Sequence, residues 1–576
     1  MTFTSATSWS NPGDKGRGFS WKGKTLLSGV DPAGKALRIA ESIPVTDRTL
    51  YLCPSPLYGY GLERLLARIA DLPNSALLCI EAEPELFALA QEHLSASLQN
   101  NQKLRLTNRC DAGTLCALLR QEWGPRFFRR VEVVRLNGGW QLHQPLYDML
   151  AESLRREIAL DWGNAITLTR LGRRYIRNAL RNLPLIPRCQ PLQQLNFGGE
   201  PALVLGAGPS LDHLLDGLQS RFGKPHGGPL RLPAERPFRI ICVDTCLTAL
   251  KDRDITPDLA VILECQHWNL DDFAGLSGWN VPAALDLSAL PRSAHVLDGG
   301  LFLFFTPWTT LKIFGRLETA GLLPLRLPPL GSVGLSAAAL ARRLTQGAII
   351  TAGLDFSFTP DSYHARSTPG HKSRLRRQTR FTGILNAEAA FGGAVSGTVS
   401  KTGGAVLSTP AMRNYRDLFE REFGTVANNG GGFYDIESGG LPLGVKTLSP
   451  EAAFDMLSST TTEGKNFKFP PCPPSCPQDS NSPCLREKSL ETFIHDERTR
   501  LTRLRDMLTG AVAMDGDTLV TLVDECDYLW AHFPDYAGTE RRPDKAELTG
   551  GAALSFLNRI RVEIDPFLKL WELVAI

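Results

Sequence analysis

The chain reads as a mixed α/β protein with largely parallel sheets and a helical end. Three observations carry that reading. Short apolar runs alternate with helical patterns from Thr49 to about residue 458. Several of those runs end in a glycine-containing turn or an acidic residue, as strands do at the ligand-facing edge of a parallel sheet. Residues 485–576 then lose the apolar runs and keep only helical periodicity. Composition sets outer bounds. With 43% hydrophobic and 21% charged residues over 576 positions, the chain has the make-up of a soluble globular protein. A net charge of +3 at this length argues against a dedicated nucleic-acid binder. No apolar run is long enough to span a membrane, and the polar start of the chain (Ser8, Asn11, Asp14, Lys15) has no signal-peptide core. The twelve cysteines are scattered, several within apolar runs, which suits reduced thiols in a cytoplasm.

The first part, residues 1–190, is expected to be a Rossmann-like α/β domain. Thr49–Cys53 reads as a strand. Tyr58-Gly59-Tyr60-Gly61 turns into a helix through Leu65, Leu66 and Ile69. Ala76–Ile80 reads as a second strand ending at Glu81, with a helix over 84–98. A glycine turn followed by an acid at a strand end resembles a methyltransferase-like half, but the turn is short, and a structural role fits better. Arg135–Trp140 reads as a strand-to-turn passage, and 151–183 as one or two helices stopping before Pro184. Arg173, Arg174, Arg177 and Arg181 fall on one helix face, either solvated or turned toward another domain.

The second part, residues 191–458, holds the chemistry. Its expected strands are Ala202–Leu205, Phe238–Val243, Leu259–Leu263, Leu301–Phe305 and Ala348–Ala352, with helices between, among them Leu335–Leu344. Ligands of such sheets bind beyond the strands' carboxyl ends. Gly206-Ala207-Gly208-Pro209-Ser210 ends the first of these strands. Gly206 and Gly208 allow close backbone approach to a phosphate or sugar, and Ser210 suits the N-cap of the following helix. Asp244 and Thr245 follow the second strand, where an acid either contacts a ribose or caps a helix. Asp258 is expected to fix the turn before the third strand, and Glu264 emerges at that strand's carboxyl end. Gly331-Ser332-Val333-Gly334 opens a helix whose N-terminus either holds an anion or packs closely on the sheet. Asp355 follows the fifth strand, and His364 lies nine positions on, a pair able to support acid–base chemistry. His371, Lys372, Arg374, Arg376, Arg377 and Arg380 form a basic run, either a loop over phosphates or a solvated surface.

The proline-rich stretch 459–484 reads as a linker, and 485–576 as a helical subdomain. Cys472, Cys476 and Cys484 lack the paired Cys-x-x-Cys spacing of a zinc site, and no metal site is expected.

The set Gly206–Leu211, Asp244-Thr245, Pro257-Asp258, Gly331-Ser332-Val333 and Gly353-Leu354-Asp355 resembles the domain shared by bacterial motility accessory factors and the archaeal 6-hydroxymethylpterin pyrophosphokinases, the MptE-like domain. The resemblance covers most of 190–445, and the flanking parts also fit motility accessory factors. The Gly-x-Gly-Pro-Ser turn is similar to that with which certain bacterial sialyltransferases hold a CMP-linked sugar. The resemblance implies a mostly parallel α/β domain of sialyltransferase type. It also implies transfer of a nonulosonic acid (pseudaminic or legionaminic type) from a CMP donor to Ser or Thr of flagellin.

The pyrophosphokinase branch implies different chemistry: ATP, a reduced pterin and magnesium held by a paired Asp-x-Asp-Gly. Here that place reads Leu263-Glu264-Cys265-Gln266, with one acid and no glycine. One carboxylate is a poor start for a magnesium cage, whereas sugar transfer from a CMP donor needs no metal if protein groups stabilise the departing phosphate. On this basis Gly206, Gly208, Pro209, Ser210, Asp244, Thr245, Glu264 and Ser332 are expected to hold the nucleotide sugar. His364 is expected to move the proton, with Asp355 orienting it or shaping the pocket. A protein that keeps only the nucleotide-binding fold, as a scaffold, is the remaining alternative.

Overall fold

The structure is a computed structural model describing residues 16–575 except 125, 224–232, 382, 384–394, 425–431, 459–482, 512–514, 540, 546–547 and 549–552. The expected linker therefore lies outside the described residues up to 482. The chain divides into two units: 1–172 with 531–542, and 173–530 with 543–576.

In the first unit a hairpin, β1 (Phe19–Trp21) and β2 (Lys24–Leu27), precedes helix α1 (Pro32–Ser42). A four-stranded parallel sheet follows, built from β3 (Thr49–Pro54), β4 (Ala76–Ile80), β5 (Leu104–Thr107) and β6 (Arg130–Val133) in the order β5-β4-β3-β6. Helices α2 (Leu62–Arg68), α3 (Pro84–His93), α4 (Ala96–Gln99) and α5 (Ala112–Trp123) connect the strands. β3 and β4 are buried along their whole length, which is why they read as unbroken apolar runs. β5 and β6 carry Arg105, Arg130 and Glu132, and that charge hid them from a search for apolar runs. Residues 151–183 form the greater part of one 39-residue helix, α6 (Gln144–Asn182), along which the chain passes from one unit to the next.

The second unit is built on a nine-stranded sheet whose pairings are all parallel. Its strands are β7 (Ala202–Leu205), β8 (Arg239–Val243), β9 (Leu259–Ile262), β10 (Ala283–Asp286), β11 (Leu301–Phe305), β12 (Leu325–Arg326), β13 (Ile349–Ala352), β16 (Phe433–Ile436) and β17 (Lys446–Leu448). β14 (Ser396–Val399) and β15 (Ala405–Ser408) form a separate hairpin. The order β12-β11-β10-β9-β8-β7-β13-β16-β17 shows the chain stepping away from β7 in one direction and resuming on its other side. The β7/β13 boundary is thus the switch point, where such sheets open a crevice. All five strands expected from sequence in this unit are present. β10, β12, β16 and β17 were not expected: β10 is short and lacks β-branched residues, and β16 and β17 carry Asp435 and Lys446.

Helices α7 (Leu211–Phe222), α8 (Leu247–Lys251), α9 (Lys312–Thr319), α10 (Val333–Leu344), α11 (Pro369–Arg377), α12 (Pro410–Phe423) and α13 (Pro450–Ser458) complete this part. α10 packs on β7, β8, β9 and β13. Its small residues Ala337, Ala338 and Ala339 are buried, so the close-packing reading of this helix holds along its body.

The C-terminal helices α14 (Pro483–Thr509) and α15 (Gly516–Glu525) and a last helix, Ala553–Val574, belong to the second unit. Ion pairs and a helix cap tie them to α9. Glu497, 1% exposed at its side chain, accepts from Arg316 Nε (2.6 Å) and Nη2 (2.9 Å) and from Arg500 Nη1 (2.6 Å). Asp527 accepts from the Lys312 backbone N–H at 3.0 Å, capping α9 from 215 positions away. No helix among the described residues is long and apolar enough to cross a membrane. Removing Glu497 would take the shared carboxylate from Arg316 and Arg500, whose side chains are 23% and 21% exposed, and leave them their contacts to Glu525. We expect Glu497→Ala to cost about 2–3 kcal/mol, read as a lower urea midpoint with an unchanged m-value; an unshifted midpoint would refute this role.

Candidate active site

The carboxyl edge of the sheet gathers the residues expected from sequence, but not with the contacts expected. Gly206 N–H donates to Ala352 O and Gly208 N–H to Gly353 O, both at 2.8 Å. A Cβ on Gly206 would collide with Gly353 O and one on Gly208 with the Asp355 carboxylate. Gly353 itself has φ +69°. These glycines are therefore required by the close approach of two turns of the same chain at the switch point.

Ser210 stands at the N-cap of α7 but makes no side-chain cap bond. This corrects the expected cap. Its hydroxyl donates to Asp355 Oδ1 (2.5 Å), and its N–H to Asp355 Oδ2 (2.8 Å). A carboxylate of the protein thus occupies the place at the α7 N-terminus that a phosphate was expected to take. Asp355 is fully buried. Burial pushes its pKa up, against which the two Ser210 bonds and the charge of Lys401 hold it down. Lys401 is buried in turn, 2.6 Å from Asp435 Oδ2, and Thr351 Oγ1 donates to Asp435 Oδ1 at 3.2 Å. Burial raises Asp435 to about 6.

His364 belongs to a loop folded over this turn. Ala365 N–H donates to Ala207 O (3.0 Å), Arg366 N–H to Asp212 Oδ2 (3.0 Å), and Thr248 Oγ1 to Ser367 O (2.7 Å). Burial, with Arg374 nearby, lowers His364 to about 4, so the imidazole is neutral across the physiological range. Asp355 spends both oxygens on Ser210, so of its two expected roles the geometry carries the shaping one. In the basic run, Lys372 pairs with Asp252 (3.2 Å) and Arg374 donates to the carbonyl oxygens of Pro360 and Asp361. Arg376 and Arg380 stay exposed.

Asp244, buried at the end of β8, accepts from Thr245 N–H (2.9 Å) and Asn269 Nδ2 (2.7 Å). The same Asn269 amide donates to Asp272 Oδ2 at 3.2 Å, and its oxygen accepts from Ser293 Oγ at 2.8 Å. Burial raises Asp244 to about 6, and burial together with Asp244 raises Asp272 to about 7. Asn269 and Asp272 were not singled out from sequence. They lie in a short 3-10 helix, His267–Phe273, whose polar run gives no periodic signal.

One strand further, Glu264 is exposed and accepts from Gln266 N–H at 2.8 Å. On β10, Asp286 accepts from the N–H and hydroxyl groups of both Ser288 and Thr306, which satisfies its lone pairs. Asp258 lies at the opposite end of β9. It binds Arg236 (2.6 Å), Arg239 (3.1 Å) and Ile240 N–H (2.8 Å), so it braces the strands as well as the turn.

Ser332 is the N-cap of α10 and makes no side-chain cap bond. α10 meets the switch point through Leu354, whose Cδ2 would lie 2.5 Å from a Cβ on Gly206 or on Gly334. Of the two long helices whose N-termini open at the switch point, α7 is capped by Asp355, and α10 receives no side-chain cap among the described residues.

In the first unit, the acid expected at a strand end is consumed internally. Glu81 is fully buried and accepts from Ser55 Oγ (2.6 Å) and Glu83 N–H (3.1 Å), and burial raises its pKa.

Two outcomes follow. Asp355→Ala removes the partner of Ser210 and is expected to cost about 1–2 kcal/mol, with Asp355→Asn milder; equal unfolding midpoints for wild type and both variants would contradict the cap. For Asp244 and Asp272, folded-state pKa values above the unfolded 3.8 mean that the native state holds more protons between about pH 4 and 7. Their contribution to stability therefore falls as pH rises through that window. Asp272→Asn should flatten the pH dependence of the unfolding midpoint there, and an unchanged slope would refute the coupling.

Residues 177–361 match a family model described as 6-hydroxymethylpterin diphosphokinase MptE-like. A protein of Treponema pallidum (strain Nichols), described only as uncharacterized, is 30% identical over 550 residues, covering 92% of this chain and 89% of that protein. The solved structure of a MAf glycosyltransferase from Magnetospirillum magneticum AMB-1 superposes with a TM-score of 0.51 at 13% identity, covering 97% of this chain and 88% of that one. At that identity the likeness is one of fold, and it runs through nearly the whole chain. The near full-length relative shows that the chain belongs to one family with that Treponema pallidum protein, with an MptE-like domain at its centre.

Proposed function

We propose that the protein is a glycosyltransferase that moves a nonulosonic acid of pseudaminic or legionaminic type from a CMP donor to Ser or Thr of flagellin, in the cytoplasm and without a required metal. One observation supports this most. The N-terminus of α10 at Ser332 has no side-chain cap, while that of α7 is taken by Asp355. The donor's carboxylate or phosphate therefore meets free N–H groups at Ser332, Val333 and Gly334. Gly206, Gly208, Pro209, Ser210, Asp244 and Thr245 shape the adjoining nucleotide crevice.

In the reaction the bond from the anomeric carbon to the phosphate oxygen breaks, and CMP leaves with the electron pair. The acceptor hydroxyl oxygen bonds to that carbon and gives up its proton. His364, neutral above about pH 4, is in the right state to take it.

The family model's description favours a second reading, ATP-dependent diphosphate transfer to a pterin with magnesium. Against it, the β9 end offers one carboxylate, Glu264, and Asp286 beside it is already satisfied by four donors.

Calorimetry with CMP and with ATP plus magnesium separates the two readings. Saturable CMP binding is expected, and magnesium-dependent ATP binding in its place would overturn the transferase reading. His364→Ala is expected to lower transfer by about 100-fold, and wild-type rates in that variant would remove the assignment. Intact-mass measurement of flagellin with and without the protein tests the acceptor; equal masses would exclude flagellin.

A further inference from the structure

One group of residues at the carboxyl edge has no part in the reading above. The last turns of α6 are tied to the loops after β9 and β10. Asn178 Nδ2 donates to Cys265 O (2.9 Å) and Ser288 O (3.2 Å), and Asn182 Nδ2 to Leu287 O (2.9 Å) and Ala289 O (3.0 Å). Tyr175, one turn earlier, is thereby held in the neighbourhood of Glu264. Its ring lies 5.2 Å from that of Trp308. Tyr415, on α12, rests against Gly331, where a Cβ would come within 3.3 Å of its ring, and 6.4 Å from Phe356. Burial and the charge of Glu264 keep both phenols protonated, and Tyr175 also senses Tyr415. Half-buried aromatic rings thus gather around one exposed carboxylate.

The hydrogen bonds here are incomplete. The buried Trp308 Nε1–H has no partner among the described residues, and neither tyrosine hydroxyl is sealed from solvent. Glu264 accepts from Gln266 N–H at Oε1 and also meets the Cys265 thiol. A shielded polar group without a partner costs free energy, so the indole N–H of Trp308 beside these rings calls for a ligand. The mixture indicates its chemistry. A bare anion would meet the charge of Glu264. A hydroxyl both donates and accepts, so it can serve a phenol and a carboxylate together. Aromatic faces suit the C–H faces of a saturated ring.

We propose that Tyr175, Trp308, Tyr415 and Glu264 form the subsite that binds the hydroxyl-bearing ring of the transferred sugar. This rests on the glycosyltransferase reading and moves Glu264 from the nucleotide to the sugar. It also sets the sugar beside Gly331 and Ser332, where its carboxylate would meet α10.

The test is calorimetric titration of the full chain with CMP, CMP-N-acetylneuraminic acid and free N-acetylneuraminic acid. Wild type is compared with Tyr175→Phe and Tyr415→Phe, which remove only a hydroxyl. Each variant is expected to weaken the CMP-sugar about fivefold while leaving CMP within about twofold of wild type. Equal losses for CMP would place the cluster on the nucleotide and overturn the proposal, as would unchanged affinity for all three probes. CMP bound normally with an unchanged CMP-sugar would sink the subsite and spare the transferase reading. Tyrosine-dependent binding of the free sugar with no CMP binding would do the reverse. No binding of any probe by the wild type would end both.

Discussion

The carboxylate of Asp355 on the N-terminus of α7 is the interaction on which the rest of this edge depends. It joins the ends of β7 and β13, the strands on either side of the switch point. Holding a buried carboxylate there costs desolvation, which two Ser210 donors, the helix dipole and the nearby Lys401 charge offset. The short span between the two turns leaves no room for a Cβ at Gly206 or Gly208. It also brings Ala207 within reach of Ala365, which sets the His364 loop over the turn. That carboxylate fills the terminus of α7, while Ser332 at the start of α10 makes no side-chain cap bond.

The same device recurs in the second unit. Asp527 caps α9 as Asp355 supports α7, and Asp212 holds the Arg366 N–H. In each case a carboxylate distant in sequence pairs with backbone N–H groups that have no partner within their own element. Local signals mislead at the starts of α7 and α10, whereas Thr368 and Thr409 cap α11 and α12 by side chain. Ser210 and Ser332 both occupy N-cap positions without capping by side chain.

How much was legible depended on what each residue touches. The fully buried strands β3, β4, β7 and β11 read plainly because both faces are covered, so their sequences are unbroken apolar runs. β16 escaped because its middle carries Asp435, whose charge is offset by Lys401 from 34 positions away. In the site, Gly206, Ser210, Asp244, Glu264, Ser332 and Asp355 were legible because strand ends and glycine turns mark the ligand edge. Tyr175, Trp308 and Tyr415 were not. They come from a helix, a loop and another helix, none with a motif, and only packing brings the first two rings together and sets Tyr415 near the same carboxylate.

The sequence by itself determined the α/β layering and the carboxyl-edge residues, since apolar periodicity and glycine placement are local and survive without contacts. Tertiary structure alone decided that the glycines serve an internal approach, that Asp355 faces Ser210, and that α10 rather than α7 keeps an open terminus. Those are questions of which donor meets which acceptor, and they have no answer until segments such as those of Ser210 and Asp355, 145 positions apart, are brought within hydrogen-bonding distance.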